Sequence, residues 1–248
     1  MLDLGAGSGH IARALVAPLP PADGDERVAA ERIETLVSGE LSPRLLHRDA
    51  LAPTDDGPGA GMRVERVVLD EEAALPFGDG SFDAVVSAGM HWINDLPAVL
   101  GEAARVLRAD APLVAAMPAG DTLFELRATL QLAELERRGG VGPRVSPLVD
   151  PRDLGGLLAR AGFALVTVDV ADVVVGFPDV FALMTDLQAM GEANAVLGRP
   201  PGPLPRDVLM AAQAIYRELH GAPDGSLPAT FRIVYMVRVP PGSGVQGR

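Results

Sequence analysis

The sequence predicts an α/β fold: a mostly parallel seven-stranded sheet with helices on both faces. Three observations carry that prediction. Apolar, strand-like runs alternate with runs of helical period along the chain, the pattern of a doubly wound sheet. The first run, Leu2-Asp-Leu4, breaks into the glycine turn Gly5-Ala-Gly-Ser-Gly9 and leads straight into a helix near His10. The segment Asp83-Ala-Val-Val-Ser-Ala-Gly89 is apolar on nearly every residue, as strands buried on both faces are.

The turn organises the rest. Glycines at 5, 7 and 9 let the backbone bend sharply and approach a ligand. The helix start exposes unpaired N–H groups. Asp3 stands where it can reach a cationic or hydrogen-bonding part of that ligand. The helix His10–Val16 ends before Pro18, Pro20 and Pro21. Residues 22–40 carry Val28, Ile33, Leu36 and Val37 at near-helical spacing and read as an exposed helical insertion at about 18–43. Arg44–Asp49 reads as the second strand, with Asp49 where an open α/β sheet sets a carboxylate against a ribose. Pro53–Met62 is a loop, and Arg66–Glu71 the third strand, ending in the acids Asp70 and Glu71. After the fourth strand come His91 and Trp92, just past its carboxyl end, where such sheets bind ligands. His91 reads either as a ligand contact or general base or as a bland residue, and Trp92 either as a site residue or as packing beneath the next helix.

Leu96–Leu107 is that helix, with Pro97 in its first turn, and Leu113–Met117 the fifth strand. Asp121 or Thr122 is expected to cap the long helix Leu123–Arg138, which Gly139 ends. A helix at Asp153–Arg160, a sixth strand at Ala164–Val170, helices at Phe181–Met190 and Arg206–His220 and a last strand at Thr230–Val239 follow. Residues 240–248 read as a disordered tail.

Composition narrows the function. The 248 residues are 48% hydrophobic, enough for a core, and carry a net charge of −12. That acidity argues against nucleic acid as a partner. All 21 basic residues other than His are Arg, and Cys is absent, so no disulfide, thiol nucleophile or Cys-held metal is expected. His10, His47, His91 and His220 have no metal-ligand spacing, so no metal site is predicted. No apolar run reaches the roughly 20 residues of a membrane span. Met1 falls inside the first strand, where a parallel strand of about five residues would already be under way. The expectation is an N-terminally truncated chain with a short first strand and an open pocket beside it.

The acid-x-Gly-x-Gly-x-Gly pattern at 3–9 resembles motif I of S-adenosylmethionine (SAM)-dependent methyltransferases, and Leu75-Pro-Phe…Ser-Phe-Asp83 resembles the segment before their fourth strand. The resemblance implies the Rossmann-like class I methyltransferase fold over residues 1–120, with 121–239 as the C-terminal part of the same domain, a helical cap plus the last two strands. It implies SAM as cofactor. Asp3, Gly5, Gly7 and Gly9 would hold its methionine end, Asp49 the ribose, and Asp70 with its neighbour Glu71 the adenine. His91 and Trp92 would lie near the sulfonium.

A narrower likeness covers 88–236. His91-Trp-Ile-Asn-Asp-Leu-Pro97, Gly120-Asp-Thr-Leu-Phe-Glu-Leu-Arg127, Asp153–Phe163 and Met184–Glu192 look like a family of mitochondrial complex I assembly factors of methyltransferase fold. That resemblance implies an enzyme hydroxylating an arginine of a core complex I subunit, in the mitochondrial matrix and peripheral at the inner membrane (cytoplasmic in a bacterium). The alternatives are a methyltransferase acting on a small molecule or carrier-bound acyl group, and a non-catalytic assembly chaperone. A basic, arginine-bearing target suits an acidic surface, with Glu125, Glu134, Glu136 and Glu192 as its candidates.

Overall fold

The computed structural model describes residues 1–16, 33–49, 62–164, 166–193, 196–198 and 202–238. The expected tail and most of the expected insertion lie outside the described residues. Seven strands form one sheet in the order β3-β2-β1-β4-β5-β7-β6. β1 is Leu2–Leu4, β2 Thr35–Glu40, β3 Arg63–Val68, β4 Val85–Ser87, β5 Leu113–Pro118, β6 Val166–Phe177 and β7 Leu227–Arg238. β1 pairs in parallel with β2 and β4, β2 with β3, and β4 with β5. The strand order reverses between β1 and β4, and the carboxyl ends of strands at such a switch point frame the ligand crevice. Ala119 N–H donates to Arg232 C=O and Leu123 N–H to Thr230 C=O. The numbers rise on one chain as they fall on the other, so β7 runs antiparallel there.

The second strand is a correction. Thr35–Glu40, expected inside a helical insertion, is β2, with Leu36 to Gly39 all buried. The apolar residues that fit a helical period instead line both faces of a central strand. Arg44–Asp49, expected as a strand, opens with the helix α2, Pro43–Leu46. Ser42 caps it, its Oγ accepting the Leu45 N–H at 3.3 Å, and Pro43 presets its first turn. α1 (His10–Val16) matches the expected helix, and so does the three-residue first strand the expected short one.

The chain divides into two compact units. The first, residues 1–117, 151–169 and 234–248, centres on Leu2, Leu4, Leu36, Val85 and Leu113 of the sheet. α3 (Leu96–Val106) buries Val99, Leu100, Ala103 and Val106, the i, i+4 stripe of a core-facing helix, and packs on α5 (Pro151–Arg160). The second unit, residues 118–150 and 170–233, packs α4 (Phe124–Arg138), α6 (Val180–Met190) and α7 (Arg206–His220) around Leu126, Leu130, Leu183, Val208 and Tyr216. The buried Tyr216 hydroxyl is satisfied by donating to Pro228 C=O at 2.7 Å. Leu123, with φ at +56°, precedes α4 without a side-chain cap. Neither Asp121 nor Thr122 caps it, because both are engaged with Arg232. Gly139 closes it at φ +69°, as expected.

Candidate functional site

The turn after β1 is held by β2. Gly5 and Ala6 N–H both donate to Gly39 C=O, at 3.0 and 2.9 Å. Gly5, Gly7 and Gly9 have φ of +73°, +55° and +85°, values that side-chain-bearing residues rarely adopt. A Cβ on Gly7 would meet nothing within 4 Å, so the turn has open space at that point.

Asp3 lies at 0% exposure beneath this turn, and neither carboxylate oxygen has a hydrogen-bond partner among the described residues. Burial, reinforced by the charge of Glu40, pushes its carboxyl up to about 7. A buried carboxylate without a partner is costly, and a cationic ligand group is what relieves it.

The acid at the carboxyl end of β2 is Glu40. Its Oε2 accepts the Gly7 N–H and its Oε1 the Ser42 N–H, each at 2.9 Å. Asp49, expected at that place, follows α2 and is exposed, in ion pairs with Arg13 at 3.3 Å and Arg48 at 3.1 Å. Those guanidiniums, with hydrogen bonds from Arg48 first, hold its carboxyl below the usual range.

Asp70 is exposed just past β3, its Oδ1 accepting the Glu72 N–H at 2.9 Å. Glu71 is half-buried; its Oε1 lies 3.7 Å from where a Cβ on Gly5 would stand, so it reaches the glycine turn. Burial, then the charges of Glu40, Asp70 and Glu72, raise its carboxyl. Glu72 accepts the Asn94 N–H at 3.1 Å, the Asn94 side-chain amide at 2.7 Å and the Asp95 N–H at 3.3 Å, fixing the loop beyond β4. Arg105 of α3 ties down the Leu-Pro-Phe segment through Leu75 and Phe77 C=O, Asp79 and Glu102.

His91 and Trp92 sit on a 3-10 turn, Met90–Trp92, past β4, their ring centroids 5.4 Å apart. Trp92 is 46% exposed, so it is not buried beneath α3. The first unit thus brings Asp3, Gly5, Gly7, Gly9, Asp70, Glu71, His91 and Trp92 to the carboxyl ends of the sheet and leaves Asp49 at an exposed helix end. A buried unpartnered acid, a positive-φ turn and a strand-end carboxylate fit a ligand carrying a cation and hydroxyls, as SAM does.

The second unit corrects the acids expected to face a target. Glu125 is buried, accepting the Thr230 N–H at 3.2 Å. Glu134 is buried too, accepting the Gly142 N–H at 2.7 Å and pairing with Arg144 at 2.6 Å. Both are structural. Glu136 pairs with its neighbour Arg137 at 3.3 Å, and Glu192 follows the end of α6. The acids that line a cleft, of about 390 Å³, are Asp121 and Asp172, with Phe124, Val174, Thr230 and Arg232. Asp121 was expected only as a helix cap, and Asp172 carried no expectation from the sequence. The period-two spacing of 172 and 174, and of 230 and 232, is the signal that places each pair on one strand face.

Residues 2–115 match the methyltransferase domain family. The chain is 43% identical over 237 residues to the mitochondrial arginine-hydroxylase NDUFAF5 of Danio rerio, covering 95% of this chain and 67% of that protein. For the Mus musculus protein of the same name the identity is 41%, covering 95% and 62%. The malonyl-[acyl-carrier protein] O-methyltransferase of Laribacter hongkongensis is 35% identical, covering 95% and 73%. The chain thus spans about two thirds or less of the arginine-hydroxylases it matches. Among solved structures, the YcgJ protein of Bacillus subtilis superposes with a TM-score of 0.57 at 14% identity, covering 98% of this chain and 92% of that one, a likeness of fold alone.

Proposed function

The chain belongs to the arginine-hydroxylase NDUFAF5 family of methyltransferase-domain proteins, and from that membership we propose that it binds SAM at the β1–α1 turn and modifies, by hydroxylation, an arginine of a core complex I subunit. The single observation that carries the cofactor is Asp3: fully buried, with neither carboxylate oxygen partnered among the described residues. In this reading Asp3 and the glycine turn at 5–9 hold the methionine end, whose ammonium supplies the missing charge. Glu40 takes the ribose hydroxyls in place of Asp49, because it is the strand-end acid and its second lone pairs remain available beside the Gly7 N–H. Asp70 takes the adenine edge with Glu71 beside it. Trp92 offers an exposed aromatic face to the sulfonium, and His91 is the candidate base. Bound SAM would supply an electrophilic sulfonium centre, which serves methyl transfer; hydroxylation would draw its oxygen atom and oxidising equivalents from a separate oxidant of the dioxygen class, with a two-electron reductant taking the second oxygen to water.

The names of the relatives support arginine as the target and the mitochondrion as the place; complex I assembly as the setting and the matrix face of the inner membrane as the location belong to the same proposal. No described helix is long and apolar enough to cross a membrane. The acyl-carrier methyltransferase is the second reading, favoured only by the more distant relatives.

Calorimetric titration of SAM tests the cofactor: saturable binding is expected, and none at millimolar ligand would sink the reading. Mass spectrometry of the complex I arginine peptide, with and without the protein, then separates an added oxygen from an added methyl group.

A further inference from the structure

We propose that the cleft lined by Asp121, Phe124, Asp172, Val174, Thr230 and Arg232 receives the side chain of an arginine carried by an extended peptide segment. The choice of an arginine-bearing protein as substrate rests on the reading above.

Its volume, about 390 Å³, lies in the range of clefts that take small ligands or long side chains (about 300–1,000 Å³). Arg232 is locked between the two acids. Its Nε and Nη2 donate to the two oxygens of Asp172 at 2.8 and 2.9 Å, and its Nη1 to Asp121 Oδ2 at 2.6 Å. Two carboxylates around one guanidinium leave a net charge of −1, so the cleft favours a cation. A carboxylate ligand would have to displace both acids from Arg232. The acids keep accepting capacity, since a carboxylate has about four lone-pair sites. The Asp121 side chain remains 70% exposed and that of Asp172 43%.

The remaining lining suits the rest of an arginine. Phe124 is 45% exposed, and an edge-to-face contact with His220, centroids 5.9 Å apart, fixes its ring. A guanidinium stacks on such a face. Val174, 60% exposed, offers apolar surface to the methylenes of the stem. The Thr230 side chain is already turned to the buried Glu125 and so acts as wall.

β6 explains why the peptide is extended. It is the last strand in the sheet order, and nine of its twelve residues are exposed, among them Val173, Val174 and Val175. Long exposed apolar edge strands are templates for an added strand. In such a strand alternate side chains share one face. One register therefore sets an arginine over the face that carries Asp172 and Val174.

The test is fluorescence anisotropy on the full chain. The probe is a fluorescein-labelled peptide with a single arginine flanked by threonine and valine, alongside the same peptide with citrulline, which keeps the shape and removes the charge. The arginine peptide is expected to bind, and the citrulline peptide at least tenfold more weakly. Val174→Lys puts a cation at an exposed position of the cleft, and is expected to weaken the arginine peptide at least tenfold while SAM affinity stays within twofold. Asp121→Asn should weaken it several-fold, and covers the case in which the lysine variant misfolds. Equal binding of citrulline, no binding at millimolar protein, or wild-type binding by both variants overturns the proposal. Binding of the arginine peptide, together with no change in arginine mass of the complex I peptide incubated with the protein, SAM, dioxygen and a reductant, supports the cleft and overturns the modification reading. Arginine modification undiminished in Val174→Lys overturns the cleft and leaves that reading standing.

Discussion

Two aspartates of this chain meet opposite electrostatic environments. Asp3 is fully buried and has no partner for either oxygen among the described residues, whereas Asp172 is partly exposed and has both oxygens on one guanidinium. Desolvation raises the first to about 7, and hydrogen bonds and charge from Arg232 lower the second. The unsatisfied acid costs stability and so marks where a ligand completes the fold. The satisfied acid costs nothing and leaves a residual charge on the surface. A site that binds by filling a deficit and a site that binds by complementing a surface should respond differently to pH, salt and substitution.

The largest expected effect is at Asp3. Its folded carboxyl titrates near 7 against an ordinary 3.8. Between those values the folded chain keeps a proton that the unfolded chain has released, so stability falls as pH rises through that window, and the full cost is present above about pH 7. Each pH unit in the window is worth about 1.4 kcal/mol. Asp3→Asn removes the charge but buries an amide without partners. It is therefore expected to gain about 1–3 kcal/mol in denaturant melts at pH 8 and to lose about 1–3 kcal/mol at pH 4, where the wild-type carboxyl is already protonated. The same variant should lose at least a hundredfold in SAM affinity by calorimetry. A wild-type stability that does not fall between pH 5 and pH 8 relative to the variant would break the contrast.

The next effect separates two acids that the sequence confuses. Glu40→Gln keeps the size but leaves one of two N–H donors, Gly7 or Ser42, facing an amide NH2. The expected cost is about 1–2 kcal/mol in stability and at least tenfold in SAM affinity. Asp49→Asn should leave SAM affinity within twofold, because Asp49 is exposed and turned to Arg13 and Arg48. Equal losses in the two variants would return the ribose to Asp49.

That confusion shows what a sequence can and cannot declare. The glycine turn and α1 were legible because positive-φ glycines and a proline stop are local signals, and α7 because its apolar period is uninterrupted. β2 was misplaced because Ile33, Leu36 and Val37 fit a helical period as well as a strand buried on both faces. The correct signal, Ser42-Pro43 opening a helix, stood beside it in the sequence. Glu125 and Glu134 looked like solvated acids because nothing local announces a buried carboxylate. The partners Thr230 and Arg144 that make burial tolerable are supplied by the fold. Asp121 and Arg232 are 111 positions apart, and no period links them. Sites made of one turn are written in one stretch of sequence, and sites made across strands are not.

The smallest expected effect is therefore at the surface acid. Asp172→Asn breaks a bidentate pair, but Arg232 keeps Asp121 and both groups face solvent, where screening and side-chain entropy offset most of the attraction. The melting midpoint at pH 7 should move by no more than about 2 °C. The lowered carboxyl of Asp172 contributes whatever stability it has above its ordinary pKa of 3.8, and loses it as pH falls through the folded value, so wild type and variant should converge in acid. The direction is opposite to that of Asp3, which penalises the fold as pH rises. In 0.5 M salt the difference at Asp172 should vanish within error, since the Debye length falls below about 5 Å, while the Asp3 difference, shielded by burial, persists. A large, salt-resistant loss at Asp172 would mean that the pair holds the β6–β7 face together, and that the two aspartates differ in exposure alone.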